Sequence, residues 1–472
     1  MKNSLKLSIF LAFLLPFFVF AGKGGFSIKI KINGLKDTSC YLANYYGEKQ
    51  YIKDTAKVDG NGRFEFKGDE PLAGGIYLIV LPSKKYFEII VDKEQFFSIE
   101  TDTSDYYLKM KIKGSNENLL FCDYMKFIIS QQKIADPLRE KQKVFKDNKD
   151  SAKIVQDKLN NVDKAVKDFK LKFMKDHPEA LLSKVFKCSQ DIDLPDPPTL
   201  PNGKKDSTFV YRYYKAHFFD NIDFNDERLL RTPVFHPKIA QYYNSVVLQH
   251  PDTLIKDADS LIEKVKGNNE VFKYIVWYIT NQSESSKVMG MDAVFVHMVE
   301  AYYMTNRAYW VTPTVLQKMT DRAMQLKPIL LGQKAPNLVM YDLSWKEYQL
   351  HDIKAKYTVL YFWDPDCGHC QKETPKLGEY YKKVKSQGVE VYGVGSISDV
   401  KPWEKYIKDH DLNWINVIDA KNNTKYKHLY DIYSTPVVFL LDENKIILAK
   451  RISVEQLEEM LDKRLKKDQE KK

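Results

Sequence analysis

The chain has 472 residues, of which 44% are hydrophobic and 13% are aromatic. A single hydrophobic core stops growing near about 250–300 residues, so this length indicates several domains. The composition excludes a largely disordered or low-complexity protein. The formal charge of +10 comes from lysines spread along the chain, without an arginine cluster or a compact basic block. We therefore expect no nucleic-acid partner.

Residues 1–21 have the features of a secretory signal peptide. Lys2 and Lys6 precede the apolar run Leu7–Phe20, and the small residue Ala21 follows it. The run is too short to cross a bilayer comfortably, because a spanning helix needs about 20 residues; a signal anchor is the alternative. No cysteine follows the cleavage position to accept a lipid. We expect an exported protein of the periplasm or cell envelope, with no stable membrane span after signal cleavage.

Residues 26–114 have the pattern of a β-rich domain. Ile28, Ile30 and Ile32 alternate with polar residues, as in a strand that buries one face. Further strands are predicted at Arg63–Phe66, Ile76–Leu81, Phe87–Val91, Phe96–Glu100 and Leu108–Ile112. Short strands at this spacing favour an antiparallel β-sandwich. The segment contains no catalytic constellation, so a structural or binding role is expected.

Residues 116–328 have the period of helices. Leu159, Val162 and Val166 step by three and four, which places them on one helical stripe. The proline-rich stretch Asp191–Asp206 predicts a loop. Helical patterns resume at Ile239–Leu248, Ala258–Val265 and Val294–Met304. The histidines of this region have no metal-ligand spacing, and no metal site is predicted.

Residues 332–472 alternate strands with helices, which predicts an α/β sheet. The predicted strands are Leu338–Tyr341, Val359–Trp363, Val389–Val394, Trp414–Ile418, Val437–Leu441 and Ile446–Lys450. The predicted helices are Cys367–Ser386, Val400–Asp409 and Glu455–Lys466. The predicted fold is thus a multidomain one, with an N-terminal antiparallel β-sandwich, a central α-helical domain and a C-terminal α/β domain.

Two of the five cysteines, Cys367 and Cys370, lie close together, in the sequence W-D-P-D-C-G-H-C. Cys367 is placed where a strand ends and a helix begins, and the free amides and partial positive charge of a helix N-terminus favour a thiolate. Cys370 follows one turn later, within reach to resolve a mixed disulfide. Cys40, Cys122 and Cys188 are interpreted as buried free thiols.

A C-x-x-C motif alone has other interpretations. A zinc site would need a second pair of ligands, and neither another C-x-x-C nor a close histidine pair is present. Haem attachment would need a histidine directly after the second cysteine, where the chain has Gln371. A structural disulfide remains open for an exported protein.

Residues 332–472 resemble the TlpA/ResA type of thioredoxin-fold thiol–disulfide oxidoreductases. The opening segment Gly332–Asn337, with its Gly-x-x-Ala-Pro-Asn pattern, is similar to that family's. Pro375, five residues after the second cysteine, matches the proline in the first thioredoxin helix. The insertion Val400–Ile418 matches the subfamily's extra helix and strand, and Tyr430–Leu440 resembles the segment that holds its cis-proline.

This resemblance implies roles for several residues. Pro436 would be cis and lie beside the cysteines, with the Thr435 backbone available to bond an extended substrate. Tyr361 occupies the place of the buried aspartate of thioredoxins, whereas Glu373 matches the buried glutamate of the ResA-like group. Glu373 would take the proton of Cys370 directly or through water, the alternative being a solvent-facing helix glutamate.

Three further residues are expected to tune the redox pair. The C-G-H-C tetrad is the one found in protein disulfide isomerases, and His369 replaces the proline of thioredoxin. A histidine in the first helical turn stabilises the Cys367 thiolate, which makes the disulfide more oxidising. Gly368 and Trp363 complete this set.

These features predict an exported thiol–disulfide oxidoreductase in which Cys367 is the nucleophile and Cys370 the resolving thiol. Its partners would be protein thiols and disulfides and a membrane or periplasmic redox partner, and no cofactor is expected. One alternative is an envelope binding protein whose redox domain is structural or vestigial. A thiol peroxidase is disfavoured because the nucleophile of peroxiredoxins follows a proline by several residues, with a threonine or serine between, and the segment Asp364–Cys367 lacks that arrangement. The first two domains would position or select substrates.

Overall fold

The computed structural model describes residues 24–397 and 399–470, so the predicted signal peptide, residues 1–21, lies outside the described residues. The chain separates into two compact units, residues 1–240 and 241–472. Their boundary falls inside the predicted helical domain, and the domain limits drawn from the sequence remain predictions. Within the described ranges, we find no helix with the length and apolar character that a membrane crossing requires.

A β-sandwich opens the first unit. Its strands are β1 (Phe26–Asn33), β2 (Thr38–Tyr46), β3 (Lys49–Val58), β4 (Arg63–Gly68), β5 (Gly75–Val80), β6 (Tyr86–Val91), β7 (Phe96–Asp102) and β8 (Lys111–Lys113). They form two sheets, ordered β4-β1-β7-β8 and β3-β2-β5-β6. Ile28, Ile30 and Ile32 point into a core that both sheets share, which confirms the predicted β-rich domain.

One ladder of the sandwich differs from the prediction. Strands β1 and β7 pair in parallel, with Ile28 opposite Phe97 and Ile30 opposite Ile99. The prediction of an entirely antiparallel sandwich is therefore wrong for this pair. The alternation of apolar and polar residues determines which face of a strand is buried, but it carries no information about the direction of a partner distant in the chain.

Helices complete the first unit. They are α1 (Asn116–Val144), α2 (Lys149–Asp176), α3 (Leu181–Cys188), α4 (Phe209–His217) and α5 (Phe235–Gln241), the last of which ends at the unit boundary. Ser115 and Asn148 cap the first two helices with their side chains. Stacking of Phe127 on Phe169, with ring centroids 4.3 Å apart, packs α1 against α2. The proline-rich stretch after α3 is a loop, as predicted.

The second unit begins with a helical segment and continues into the C-terminal α/β region. Its first helices are α6 (Pro251–Val265), α7 (Asn269–Glu284), α8 (Asp292–Met298) and α9 (Pro313–Leu326). Short π-helical turns at Tyr242–Val246 and Val299–Tyr303 extend α5 and α8. The predicted central helical region is confirmed.

The α/β region contains a five-stranded sheet ordered β13-β12-β11-β14-β15 and a separate two-stranded sheet. Its strands are β9 (Val339–Tyr341), β10 (Glu347–Gln349), β11 (Tyr357–Trp363), β12 (Val389–Gly395), β13 (Ile415–Val417), β14 (Val437–Asp442) and β15 (Ile447–Lys450). Its helices are α10 (Gly368–Val384), α11 (Val400–Asp409), α12 (Tyr426–Leu429) and α13 (Val454–Gln469). This arrangement confirms the predicted thioredoxin fold.

The sheet determines where the redox motif lies. All residues of β11 are buried, as expected for a central strand covered on both faces. The end of β11 leads directly into α10 through the cysteine motif. Because β14 is antiparallel to β11 and Phe362 pairs with Val437, the residues that precede β14 lie at that same end of the sheet. The fold thereby brings Pro436 next to the cysteines.

Candidate active site

Cys367 is the N-cap residue of α10, and its side chain is partly exposed. Its sulfur lies 3.2 Å from the backbone carbonyl oxygen of Thr435, to which the thiol donates. Gly368 and His369, both exposed, form the first residues of the helix. Apart from its chain neighbours and the backbone of its own helix, no atom lies within 4 Å of the position that a Cβ of Gly368 would take, so this position faces open space.

The pKa of Cys367 is lowered by its surroundings. Partial burial acts to raise this pKa, but hydrogen bonds from the backbone N–H groups of Cys370 and His369, together with hydrogen bonds from the side chains of Thr435 and Cys370, outweigh that effect. The two backbone donors belong to the unpaired amides at the helix N-terminus. Cys367 is therefore partly exposed and ionises more readily than an ordinary thiol.

Cys370 has the opposite environment. Its side chain is fully buried, and burial, reinforced by the nearby Cys367, raises its pKa to about 12. The backbone N–H of Asp364 donates to its sulfur at 3.5 Å, which offsets part of this rise. Both cysteines are free thiols in this structure. One thiol of the pair is thus partly exposed with a lowered pKa, and the other is buried with a raised pKa.

The peptide bond between Thr435 and Pro436 is cis, as predicted. Both residues are half-buried and immediately precede β14. The contact between the Thr435 carbonyl and the Cys367 sulfur brings this segment and the first cysteine together. The substrate-binding role of the two residues stays a prediction.

Glu373 lies one turn after Cys370 on α10, but its carboxylate has other partners. One oxygen accepts from Lys376 Nζ at 2.9 Å, and the other accepts from the backbone N–H of Val454 at 3.1 Å. Its side chain is 20% exposed. Glu373 therefore lies at the N-terminus of α13, neither in direct contact with Cys370 nor facing solvent freely, and proton transfer by this residue stays a prediction.

Aromatic residues line the core side of the site. Trp363 is fully buried and stacks on Tyr361, with ring centroids 6.4 Å apart, and it also contacts Tyr406. The Tyr361 hydroxyl bonds to Thr374 Oγ1 at 2.8 Å, and burial raises the pKa of Tyr361 far above its ordinary value. Tyr361 therefore cannot replace the aspartate of thioredoxin as a proton acceptor near neutral pH. Thr374 was not among the predicted site residues, although its position four residues after Cys370 places it on the same helix face.

The remaining thiols are separate from this site. Cys40, Cys122 and Cys188 are buried and free, as predicted. Burial raises the pKa of Cys40 and of Cys188 to about 11. In the part of the chain that the structure describes, no cluster of His, Cys, Asp or Glu side chains is suited to hold a metal ion.

Comparisons with known families divide the chain into three matched ranges. Residues 331–450 match the AhpC/TSA family. Residues 26–121 match a domain of unknown function (DUF4369), and residues 145–325 match another (DUF5106). The family match with known chemistry thus covers the range that contains both cysteines and Pro436.

Two curated relatives agree with this assignment, and a solved structure is also similar. A thiol-disulfide oxidoreductase ResA of Bacillus cereus is 34% identical over 29% of this chain and 78% of its own length. The ResA of Geobacillus kaustophilus is 31% identical over 28% of this chain and 78% of its own length. A domain of a possible thiol-disulfide isomerase from Cytophaga hutchinsonii is 46% identical over 30% of this chain and 97% of that chain, with a TM-score of 0.28. Through its C-terminal region, the chain belongs to the thioredoxin-like thiol–disulfide oxidoreductases of the ResA type.

Proposed function

We propose that the chain is an exported oxidoreductase that exchanges disulfides with protein substrates through Cys367 and Cys370. The observation that carries this proposal is the contrast between the two thiols. Cys367 is accessible and has a lowered pKa, whereas Cys370, one helical turn away, is buried with a pKa of about 12. An accessible thiolate beside a protected thiol is the arrangement that sequential disulfide exchange requires.

In the reducing direction, the Cys367 thiolate attacks one sulfur of a substrate disulfide. The Cys367–substrate bond forms, the substrate S–S bond breaks, and the second substrate sulfur leaves as a thiolate that takes up a proton. The Cys370 thiolate then attacks the sulfur of Cys367, forming the Cys367–Cys370 disulfide and releasing the first substrate sulfur. The substrate gains two electrons and the protein loses two. Substrate oxidation follows the same steps in reverse.

The first step itself activates Cys370. The sulfur of Cys367 contributes to the raised pKa of Cys370 both through its charge and through a hydrogen bond. Once Cys367 is held in a mixed disulfide, its charge is gone and this contribution disappears. The pKa of Cys370 falls at the moment when its thiolate is needed. We propose Glu373, acting through water, as the acceptor of the released proton.

The partners follow from the same chemistry. The backbone of Thr435 would hold an extended segment of the protein substrate beside Cys367, and a periplasmic or membrane redox partner would restore the starting state of the pair. Lys2, Lys6 and the apolar run after them support export. His369, which stands where thioredoxin has proline, favours a more oxidising pair than that of thioredoxin.

Trapping of the mixed disulfide tests the proposal. Cys370→Ser in the full mature chain removes the resolving thiol, so covalent complexes with protein substrates should accumulate and dissociate on addition of dithiothreitol. Cys367→Ser and the double variant are the matched controls, and neither should form them. If no adduct depends on Cys367, exchange with protein substrates is refuted.

A glutathione titration of the pair separates the proposal from a binding protein with a structural disulfide. A midpoint near about −270 mV would indicate a reductant that a partner keeps reduced. A midpoint between about −180 and −120 mV would indicate an oxidase or isomerase. A bond that stays closed below about −300 mV would refute the redox function.

A further inference from the structure

Within the second unit, helix α9 contacts the segment that leads to Pro436. We call residues 426–436 the cis-proline segment. At its centre is Asp431, whose side chain is buried although its backbone lies in a loop, with φ +56°. A buried carboxylate needs partners that satisfy its charge and its oxygens. The most extensive of these partners comes from α9.

Arg322 of α9 binds the Asp431 carboxylate with two parallel hydrogen bonds. Its Nη1 donates to Oδ1, and its Nη2 donates to Oδ2 at 3.0 Å. Arg451, which directly follows β15, donates to the same Oδ2 at 2.8 Å and to the Asp431 carbonyl. The two-pronged geometry of Arg322 fixes orientation as well as distance, because a planar guanidinium matches both carboxylate oxygens at once.

Gln325 extends this contact to both sides of Asp431. Its Nε2 donates to the backbone carbonyl of His428 at 3.1 Å, and its Oε1 accepts from the Tyr433 hydroxyl at 3.4 Å. The Arg322 guanidinium also lies 5.8 Å from the centre of the Tyr433 ring. Arg322 and Gln325 are three residues apart and therefore share one face of α9. This face holds the cis-proline segment at three points.

The segment in turn borders the reacting sulfur. Asp431 lies four residues before Thr435, whose carbonyl is 3.2 Å from Cys367 Sγ. Between them is Tyr433, whose side chain is 76% exposed. An exposed aromatic ring held in place by an arginine and a glutamine offers apolar contact area at a low cost in side-chain entropy. A small disulfide needs only the sulfur of Cys367, whereas a polypeptide can also cover this ring.

We propose that α9 forms part of the substrate site, with Arg322 as a positioning residue and Tyr433 as a contact that favours polypeptide disulfides over small ones. The proposal rests on the disulfide exchange proposed above and extends it to the choice of substrate. It gives α9, which lies mostly within the DUF5106 match at residues 145–325, a role in the choice of substrate. This helix supports the redox site through the loop opposite the cysteines.

The test compares reduction of insulin, a polypeptide disulfide, with reduction of hydroxyethyl disulfide, using the full mature chain with dithiothreitol as the electron donor. Tyr433→Ala should raise KM for insulin about fivefold more than KM for hydroxyethyl disulfide, as expected for the loss of one exposed aromatic contact. Arg322→Gln should produce the same KM effect, and Arg322→Lys an intermediate one. Lys318→Gln, an exposed charge change on the same helix, is the matched control and should have no effect.

The outcomes are distinguishable. Insulin KM values for Tyr433→Ala and Arg322→Gln that equal that of the unmodified chain would overturn the proposal while leaving disulfide exchange intact. Equal losses on both substrates would also overturn it, because they would reflect damage to the redox centre. A failure of the unmodified chain on both substrates, together with the absence of Cys367-dependent adducts in Cys370→Ser, would instead refute the proposed function. Because Tyr433 is exposed, we expect Tyr433→Ala to fold normally, and this variant alone tests the proposal if Arg322→Gln folds poorly.

Discussion

The β-sandwich and the thioredoxin region each hold a cysteine on a β-strand or at its end, and they treat it in opposite ways. Cys40 lies inside β2, where burial raises its pKa to about 11. Cys367 lies after β11, where the amides of α10 lower its pKa. In this chain a thiol ionises more readily where a strand meets the N-terminus of a helix than it does within a strand. The local backbone, more than the residue type, separates a redox centre from a packed core.

The largest predicted effect is the difference in reaction rate between the two thiols in the folded chain. At neutral pH we expect iodoacetamide to modify Cys367 at least about 1,000-fold faster than Cys40, whose pKa of about 11 leaves few thiolates. The rate of Cys367 modification should rise with pH, and the midpoint of this rise should lie below the ordinary pKa of a thiol. Mass spectrometry of each peptide over time provides the rates. Equal rates for the two cysteines would refute the assignment of Cys367 as the reactive thiol.

The second effect concerns stability around the cis-proline segment. Asp431→Asn leaves two arginines beside a buried neutral amide and should lower the free energy of unfolding by about 3 kcal/mol. Glu404→Gln breaks an exposed pair with Lys408 and should cost less than about 0.5 kcal/mol. All six tryptophans lie in the second unit, so their fluorescence during urea unfolding reports this unit alone. Equal losses for the two variants would contradict the importance of the buried pair.

A third prediction sharpens the role of the helix N-terminus. His369→Pro removes a backbone N–H that helps to lower the pKa of Cys367. The reduced form should lose stability, and the midpoint potential should become more negative by about 50 mV. His369→Ala keeps the N–H and separates its effect from that of the imidazole. A potential that does not move in His369→Pro would show that this amide has no influence on the thiolate.

The smallest predicted effect is on resolution by Cys370. Glu373→Gln should slow decay of the mixed disulfide about tenfold and leave its formation unchanged, since only the second step needs a base near Cys370. Glu455→Gln is the control, because Glu455 also binds Lys376 but lies on the exposed side. Stopped-flow measurement of both steps distinguishes them. Unchanged decay would exclude Glu373 as the proton acceptor.

Features that depend on neighbouring residues could be predicted from the sequence. The spacing of Cys367 and Cys370 and their place between a strand and a helix can be read from adjacent residues, and Pro436 could be assigned by family resemblance. The contact of Arg322 with Asp431 joins residues 109 positions apart, and no periodicity reports such a partner. Likewise, the pattern of α10 places Glu373 near Cys370 but cannot show that α13 supplies its hydrogen-bond donor.

The position of β1 has a consequence for the order of synthesis. Among the strands that the structure describes, β1 is made before the others, yet it lies between β4 and β7 in its sheet. Its parallel partner β7 appears only after β2 to β6 have been made. Until then, the isoleucines of β1 are only partly buried, and one edge of β1 has no paired strand. A holding chaperone should therefore bind most strongly to chains stalled before residue 96 and release those extended past residue 102.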